Sequence, residues 1–268
     1  MARIISIANQ KGGVAKTTSA LNVGATIAKT GKKVLLIDID AQSSMTYITT
    51  NLVKIIQDEI PSMKDVILGD KEMDDVIINL NDISENLYLA PATLELSDAE
   101  LTIVNATMRE HILKRALKRM KTEFDYIIID CPPARGLLTI NALGASDYAL
   151  VPVQADYLAY VGVNLLNNTI LNVKEFVNPK LETLGYFITM KERTLHSNDV
   201  TKQSRIDFEP LGLENLGEIN RSTAVKDATL AGNDIGSYDP KSKPSIQYKN
   251  LTKNILRKIE ELEVGNNG

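Results

Sequence analysis

Apolar residues recur along the chain in two spacings. Short runs rich in Ile, Val and Leu fall at 3–8, 33–38, 87–90, 126–130, 149–153, 185–190 and 217–219. Several are continuous rather than alternating, KVLLID at 33–38 above all, as in strands of a parallel sheet covered on both faces. Longer stretches of helical spacing separate them. Residues 16–30 predict a helix, with Gly31 where a C′ glycine belongs. Residues 106–121 predict another, with Met108, Ile112, Leu113, Ala116, Leu117 and Met120 on one face and the basic residues outward. In the last helical stretch Leu251, Ile255, Ile259 and Leu262 share one face, while Lys249, Lys253 and Arg257 line the other. Alternating strands and helices imply an α/β fold, a doubly wound, mainly parallel twisted sheet flanked by helices. No repeat or long linker interrupts the pattern. One domain over residues 1–263 is expected, with 264–268 a frayed, disordered tail.

Composition narrows the class. A chain of 268 residues with 44% hydrophobic and 24% charged residues can bury one sizeable core without staples. No stretch approaches the ~20 apolar residues of a bilayer span, and the first residues lack the layout of a signal peptide. A cytoplasmic protein is therefore expected. A single cysteine, Cys131, excludes an intrachain disulfide and any one-chain Cys₂ or Cys₄ metal site; it is expected to be a small buried hydrophobe. His111 and His196 have no partnering Cys or His and read as surface residues. Nine tyrosines are scattered, and with no Trp and four Phe there is little support for stacking on single-stranded nucleic acid.

The net charge of −4 gives no hint of a nucleic-acid partner, but its distribution does. Residues 51–101 hold twelve acids against three lysines, whereas 241–258 hold six Lys/Arg and no acid. If the apolar face of the last helix seats it on the core, its basic stripe is left free for phosphates; a solvated face is the equally weighted alternative. For 109–121, with six Lys/Arg against Glu110, the solvated face is preferred.

The chemistry is concentrated between the first strand and the first helix, in Lys11-Gly12-Gly13-Val14-Ala15-Lys16-Thr17-Thr18. Glycines let backbone N–H groups converge on phosphate oxygens, and the helix N-terminus adds partial positive charge. Lys16 is placed to reach β/γ-phosphates and the Thr17 hydroxyl to ligate Mg²⁺. Gln10 and Ala15 replace both outer glycines of the ordinary P-loop pattern, and a second lysine, Lys11, opens the loop. Carboxylates follow at two strand ends: Asp38 and Asp40 after the second, and Asp130, ahead of Cys131-Pro132-Pro133, after the apolar run 126–129. Acids there lie at the crevice where open α/β sheets bind ligands.

K-G-G-x-x-K-T-T resembles the deviant Walker A motif of the ParA/MinD family of P-loop ATPases. The resemblance continues through D-C-P-P, GLLTINA at 136–142, Val151-Pro152-Val153-Gln154, Thr189-Met190 and Tyr238-Asp239-Pro240, from Ile4 to about Leu262. Within the family it is most similar to the short partition proteins. The first strand starts at residue 3, so the operator-binding domain of longer relatives is not expected. The resemblance implies ATP and Mg²⁺ as cofactors, with ATP held by the loop 11–18 and, on the adenine side, by the segment 218–221, notably Asn220. It implies that Lys11 acts across a homodimer interface on the partner's nucleotide, that Asp40 orients the attacking water, and that Asp38 and Asp130 lie at the Mg²⁺ with Thr17. It further implies slow ATP hydrolysis as a timer, non-specific double-stranded DNA binding by the ATP-bound dimer on the nucleoid, and release stimulated by a ParB-like centromere-binding adaptor.

Arg193 matches one family DNA-binding arginine. The second falls on Ala224, so Lys226 is the substitute candidate beside Lys249, Lys253 and Arg257. Where the family usually has proline, this chain has Ala41. Alternatives within the resemblance are a positioner of a protein cargo and a membrane-cycling cell-division ATPase. The acidic, polar residues 260–268 argue against the latter, and no membrane partner is expected. One cysteine argues against an iron–sulfur reductase, and the lack of a C-terminal tyrosine cluster against a tyrosine kinase of related fold.

Overall fold

The computed structural model describes residues 1–50, 52–57, 60–156 and 159–265. Its strands are β1 (Arg3–Ile7), β2 (Val34–Asp38), β3 (Ile78–Asn79), β4 (Leu87–Ala90), β5 (Tyr126–Asp130), β6 (Tyr148–Gln154), β7 (Glu182–Lys191) and β8 (Asn215–Asn220). They form one sheet in the order β3-β4-β2-β5-β1-β6-β7-β8. Every neighbouring pair is parallel except β3 with β4. This is the doubly wound sheet expected from the alternation of strands and helices. The chain leaves β1 toward β2 on one side and β5 toward β6 on the other, which opens a ligand crevice at the carboxyl ends of β1 and β5.

Strand residues alternate between two core layers. Leu35, Ile37, Ile127 and Ile129 pack on one face of the sheet, and Val34, Leu36, Tyr126 and Ile128 on the other. All of β2 and β5 is buried, which explains runs with no polar alternation. The helix Lys16–Ala28 packs on the second face beside the C-terminal helix Lys243–Gly265, whose Tyr248, Leu251, Ile255 and Ile259 are buried in the same layer.

Several local expectations are corrected. The helix expected over 106–121 is broken into a 3₁₀ turn at Arg109–His111 and two short helices, Ile112–Ala116 and Met120–Glu123. Met108 adopts a left-handed conformation (φ 53°) and is exposed, so it leaves the apolar face on which Ile112, Leu113, Leu117 and Met120 remain buried. The first helix ends at Ala28, and Gly31 lies one residue beyond the C′ position, its N–H bonded to the Ala28 carbonyl at 2.9 Å. The two-residue β3 is too short to leave a periodic signal. The C-terminal helix continues through Gly265, so the expected frayed tail is helical at Val264 and Gly265; residues 266–268 lie outside the described residues.

A bulge on β7 sets the register of the strand ends that reach the crevice. Its register against β6 shifts between Ala149 and Leu150, opposite Gly185. Gly185 has φ +137°, and a Cβ there would lie 2.3 Å from the Glu214 carbonyl oxygen, which already accepts the Tyr186 N–H at 2.8 Å. Gly185→Ala is expected to destabilise the protein by about 2 kcal/mol or more. The check is the urea midpoint of the nucleotide-free chain; an unchanged midpoint overturns the assignment.

Candidate functional site

The carboxyl ends of β1, β2 and β5 converge on the loop that precedes the helix Lys16–Ala28. Gly12 and Gly13 face open space, with no atom within 4 Å of where a Cβ would stand, and Gly13 has φ +74°. Ala15, at the N-cap, holds φ 63° and ψ 35°, the left-handed conformation that makes glycine the ordinary choice there. Val14 is buried, and its carbonyl accepts the Thr189 hydroxyl at 3.2 Å, tying the loop to β7. Lys16 is 7% exposed and donates to the Lys11 carbonyl at 3.3 Å. Burial pulls its ammonium below the ordinary lysine pKa, opposed by Asp130, Cys131 and Asp40.

Asp38 and Asp130 stand opposite each other in the β2–β5 register, and both are buried. Their situations differ. Asp38 accepts the Thr46 N–H at 2.9 Å and the Thr46 hydroxyl at 2.8 Å through one oxygen, and the Asp40 N–H at 3.3 Å through the other. Burial still pushes its pKa up to about 6. Among the described residues, neither oxygen of Asp130 has a hydrogen-bond partner. Burial, then the neighbouring Asp38 charge, raises its pKa well above the ordinary carboxylate value, against the nearby Thr17 and Lys16. Cys131, pushed up to about 12 by burial, is an inert thiol.

A cleft of about 810 Å³ is lined by Gly12, Gly13, Ala15, Lys16, Thr17, Thr18, Asp40 and, on another wall, by Asn220, Val225, Lys226 and Tyr248. The phosphate loop, Asp40 and Asn220 are thus brought together as expected. Three expectations change. Neither Asp38 nor Asp130 lines the cleft, both being buried, and the oxygens of Asp38 are taken by Thr46 and the Asp40 N–H. Lys226 lines the nucleotide cleft rather than a separate basic surface. Arg257 is engaged by Glu214 and Glu261, so among the described residues the unpaired part of the basic stripe is Lys249 and Lys253, both exposed. Arg193 is exposed beside Lys243 and Arg221, the latter paired with Glu192 at 2.6 Å.

Lys11 does not line its own cleft; its ammonium pairs with Asp156 of the same chain. Sequence reasoning missed Asp156, Thr46 and Tyr248, whose roles depend on contacts between distant segments and leave no local motif.

A parallel sheet, a glycine-rich loop at its crevice and a lysine-threonine pair opening the following helix define a P-loop nucleoside triphosphatase, here with an extra lysine at the loop's start. A model of the AAA domain family matches residues 2–183. The chain is 40% identical to the sporulation initiation inhibitor protein Soj of Bacillus subtilis, over 95% of this chain and 98% of that one. It is 34% identical to the chromosome-partitioning ATPase Soj of Treponema pallidum, over 96% and 98%. A crystal structure of cobyrinic acid a,c-diamide synthase from Mycobacterium smegmatis, with bound ADP and magnesium, superposes with a TM-score of 0.82 at 35% identity, covering 97% of this chain and 96% of that one. The chain belongs to the ParA/Soj-like partition ATPases of the AAA domain family.

Asp130→Asn replaces a buried carboxyl without partners by a neutral amide. The variant is expected to keep or raise the thermal midpoint of the nucleotide-free protein while lowering Mg²⁺-dependent phosphate release about 100-fold. Thermal denaturation and steady-state phosphate release check the two halves; a lower midpoint with full turnover overturns the reading.

Proposed function

We propose that residues 1–263 act as one ATPase unit that forms an ATP-dependent homodimer, binds double-stranded DNA without sequence preference, and is released when a ParB-like adaptor stimulates hydrolysis. The observation that carries this reading is the position of Lys11, turned out of its own cleft at the loop's start. From there it is available to a second copy, which makes the nucleotide part of the interface.

The residues fit ATP and Mg²⁺. Gly12 and Gly13 leave room for phosphates against the loop's N–H groups, and the buried oxygens of Asp130 lack partners beside Thr17. Mg²⁺ when bound supplies charge neutralisation at the β- and γ-phosphates. Thr17 and Asp130 would hold it, with Asp38 beside Asp130 in the β2–β5 register. Lys16 neutralises phosphate charge within the chain, Lys11 does so from the partner, and Asp40, in the cleft, orients the attacking water. Asn220 takes the adenine side. Loss of the γ-phosphate weakens the dimer, which makes hydrolysis a timer.

For DNA, Arg193, Lys249 and Lys253 supply exposed positive charge. No described helix is long and apolar enough to cross a membrane, and the proposed setting is the nucleoid in the cytoplasm.

With Asp40→Ala, ATP is expected to hold a dimer detectable by light scattering, and adding Lys11→Ala is expected to abolish it. Arg193→Ala or Lys249→Glu/Lys253→Glu is expected to lower ATP-dependent DNA affinity and reduce the slope of log K against log salt by about one per lost phosphate contact. Unchanged DNA binding in these variants overturns the surface, and an ATP-dependent dimer without Lys11 overturns the interface.

A further inference from the structure

The base-side wall of the cleft contains a hydrogen-bond relay that fixes an amide. Asn220 ends β8 and lines the cleft. Its backbone N–H donates to Gln247 Oε1 at 3.0 Å, from the C-terminal helix. Gln247 Nε2 donates to Asn220 Oδ1, and Asn220 Nδ2 donates to the Lys191 carbonyl at 3.3 Å.

Both ends of this relay have fixed polarity. A backbone N–H can only donate, so the oxygen of Gln247 must face it and its NH₂ must face the Asn220 side chain. A backbone carbonyl can only accept, so the NH₂ of Asn220 must face Lys191. The orientation of both amides follows from the backbone. Asn220 then retains one lone pair on Oδ1 and one hydrogen on Nδ2.

That pair is complementary to one class of purine. An amino group at C6 donates, and the adjacent ring nitrogen accepts. A 6-oxo purine presents an acceptor at C6 instead, with a donor at N1. With the phosphates held in the loop, the base has little freedom to slide, and the direction of the amide decides which edge fits.

We propose that Gln247 is a positioning residue that locks the Asn220 amide and so selects a 6-amino purine over a 6-oxo purine. The inference rests on the reading that the base lies against Asn220.

The test measures kcat and KM for ATP and GTP in the full chain. Gln247→Glu keeps the shape but sets an acceptor against Asn220 Oδ1, so the amide no longer satisfies both ends: it keeps Lys191 and faces a carboxylate, or turns its NH₂ to that carboxylate and loses Lys191. The expected result is a KM for ATP raised about tenfold, with a smaller change in kcat, and an ATP-to-GTP ratio of kcat/KM narrowed about tenfold or inverted. Gln247→Ala is expected to relax the ratio without inverting it. The ratio does not depend on the folded fraction, so a destabilised variant still reports. Asn220→Ala separates the two levels. If it raises KM for ATP while Gln247→Glu leaves the ratio unchanged, the relay is overturned. If Asn220→Ala leaves KM for ATP unchanged, the base lies elsewhere, and both the reading and the relay fall.

Discussion

Asp38 and Asp130 sit in register at the ends of two neighbouring parallel strands, both buried. Two carboxyls so close in a low-dielectric interior disfavour each other's ionisation. The protein satisfies one and leaves the other. Thr46 donates twice to Asp38, and its hydroxyl also accepts the Ala92 N–H at 2.9 Å, which ties the segment after β2 to the one after β4. Among the described residues, Asp130 has no hydrogen-bond partner on either oxygen, with the Thr17 side chain nearby. Lys16 lies close enough to offset part of its charge, and a cation bound beside Thr17 would supply the rest. A deficit of this kind suits a site whose ligand completes it.

The loop has the opposite sign. Backbone N–H groups, the helix N-terminus and Lys16 favour anions, and Lys16 is itself held below its ordinary pKa by burial. Phosphate binding meets both needs, because it brings negative charge to the lysine and a cation to the carboxylate. Lys11 stands outside this arrangement in its ion pair with Asp156. With about 30% of each side chain exposed, that pair is worth little.

Sequence pattern suffices where physics acts locally. β2 and β5 are legible because burial on both faces demands an unbroken apolar run, and the phosphate loop because its chemistry is contiguous. Within 106–121, Ile112, Leu113, Leu117 and Met120 stay buried but the helix is broken, since the left-handed turn at Met108 has no signature in an apolar, helix-favouring residue. Asp38 and Arg257 carry the right charge in the right element, yet Thr46 and Glu214 occupy them in ways that depend on tertiary neighbours. Gln247 reaches Asn220 across 27 positions of sequence, a separation no local pattern reports.

The C-terminal helix joins these observations. Its apolar face, through Leu251, Ile255 and Ile259, fixes it to the sheet layer that also holds the helix Lys16–Ala28. Gln247 engages the base-side strand, and Tyr248 meets Ser19, two residues past Thr17, at 3.3 Å. The next residue, Lys249, is exposed, as is Lys253 one turn on. One rigid element therefore touches both ends of the nucleotide cleft and carries the free lysines on its outer side. If the nucleotide prefers one placement of this helix, and the ligand of the lysines prefers the same one, each strengthens the binding of the other by the same factor. That reciprocity requires no separate signalling segment, because the helix that closes the core is already shared by the two sites.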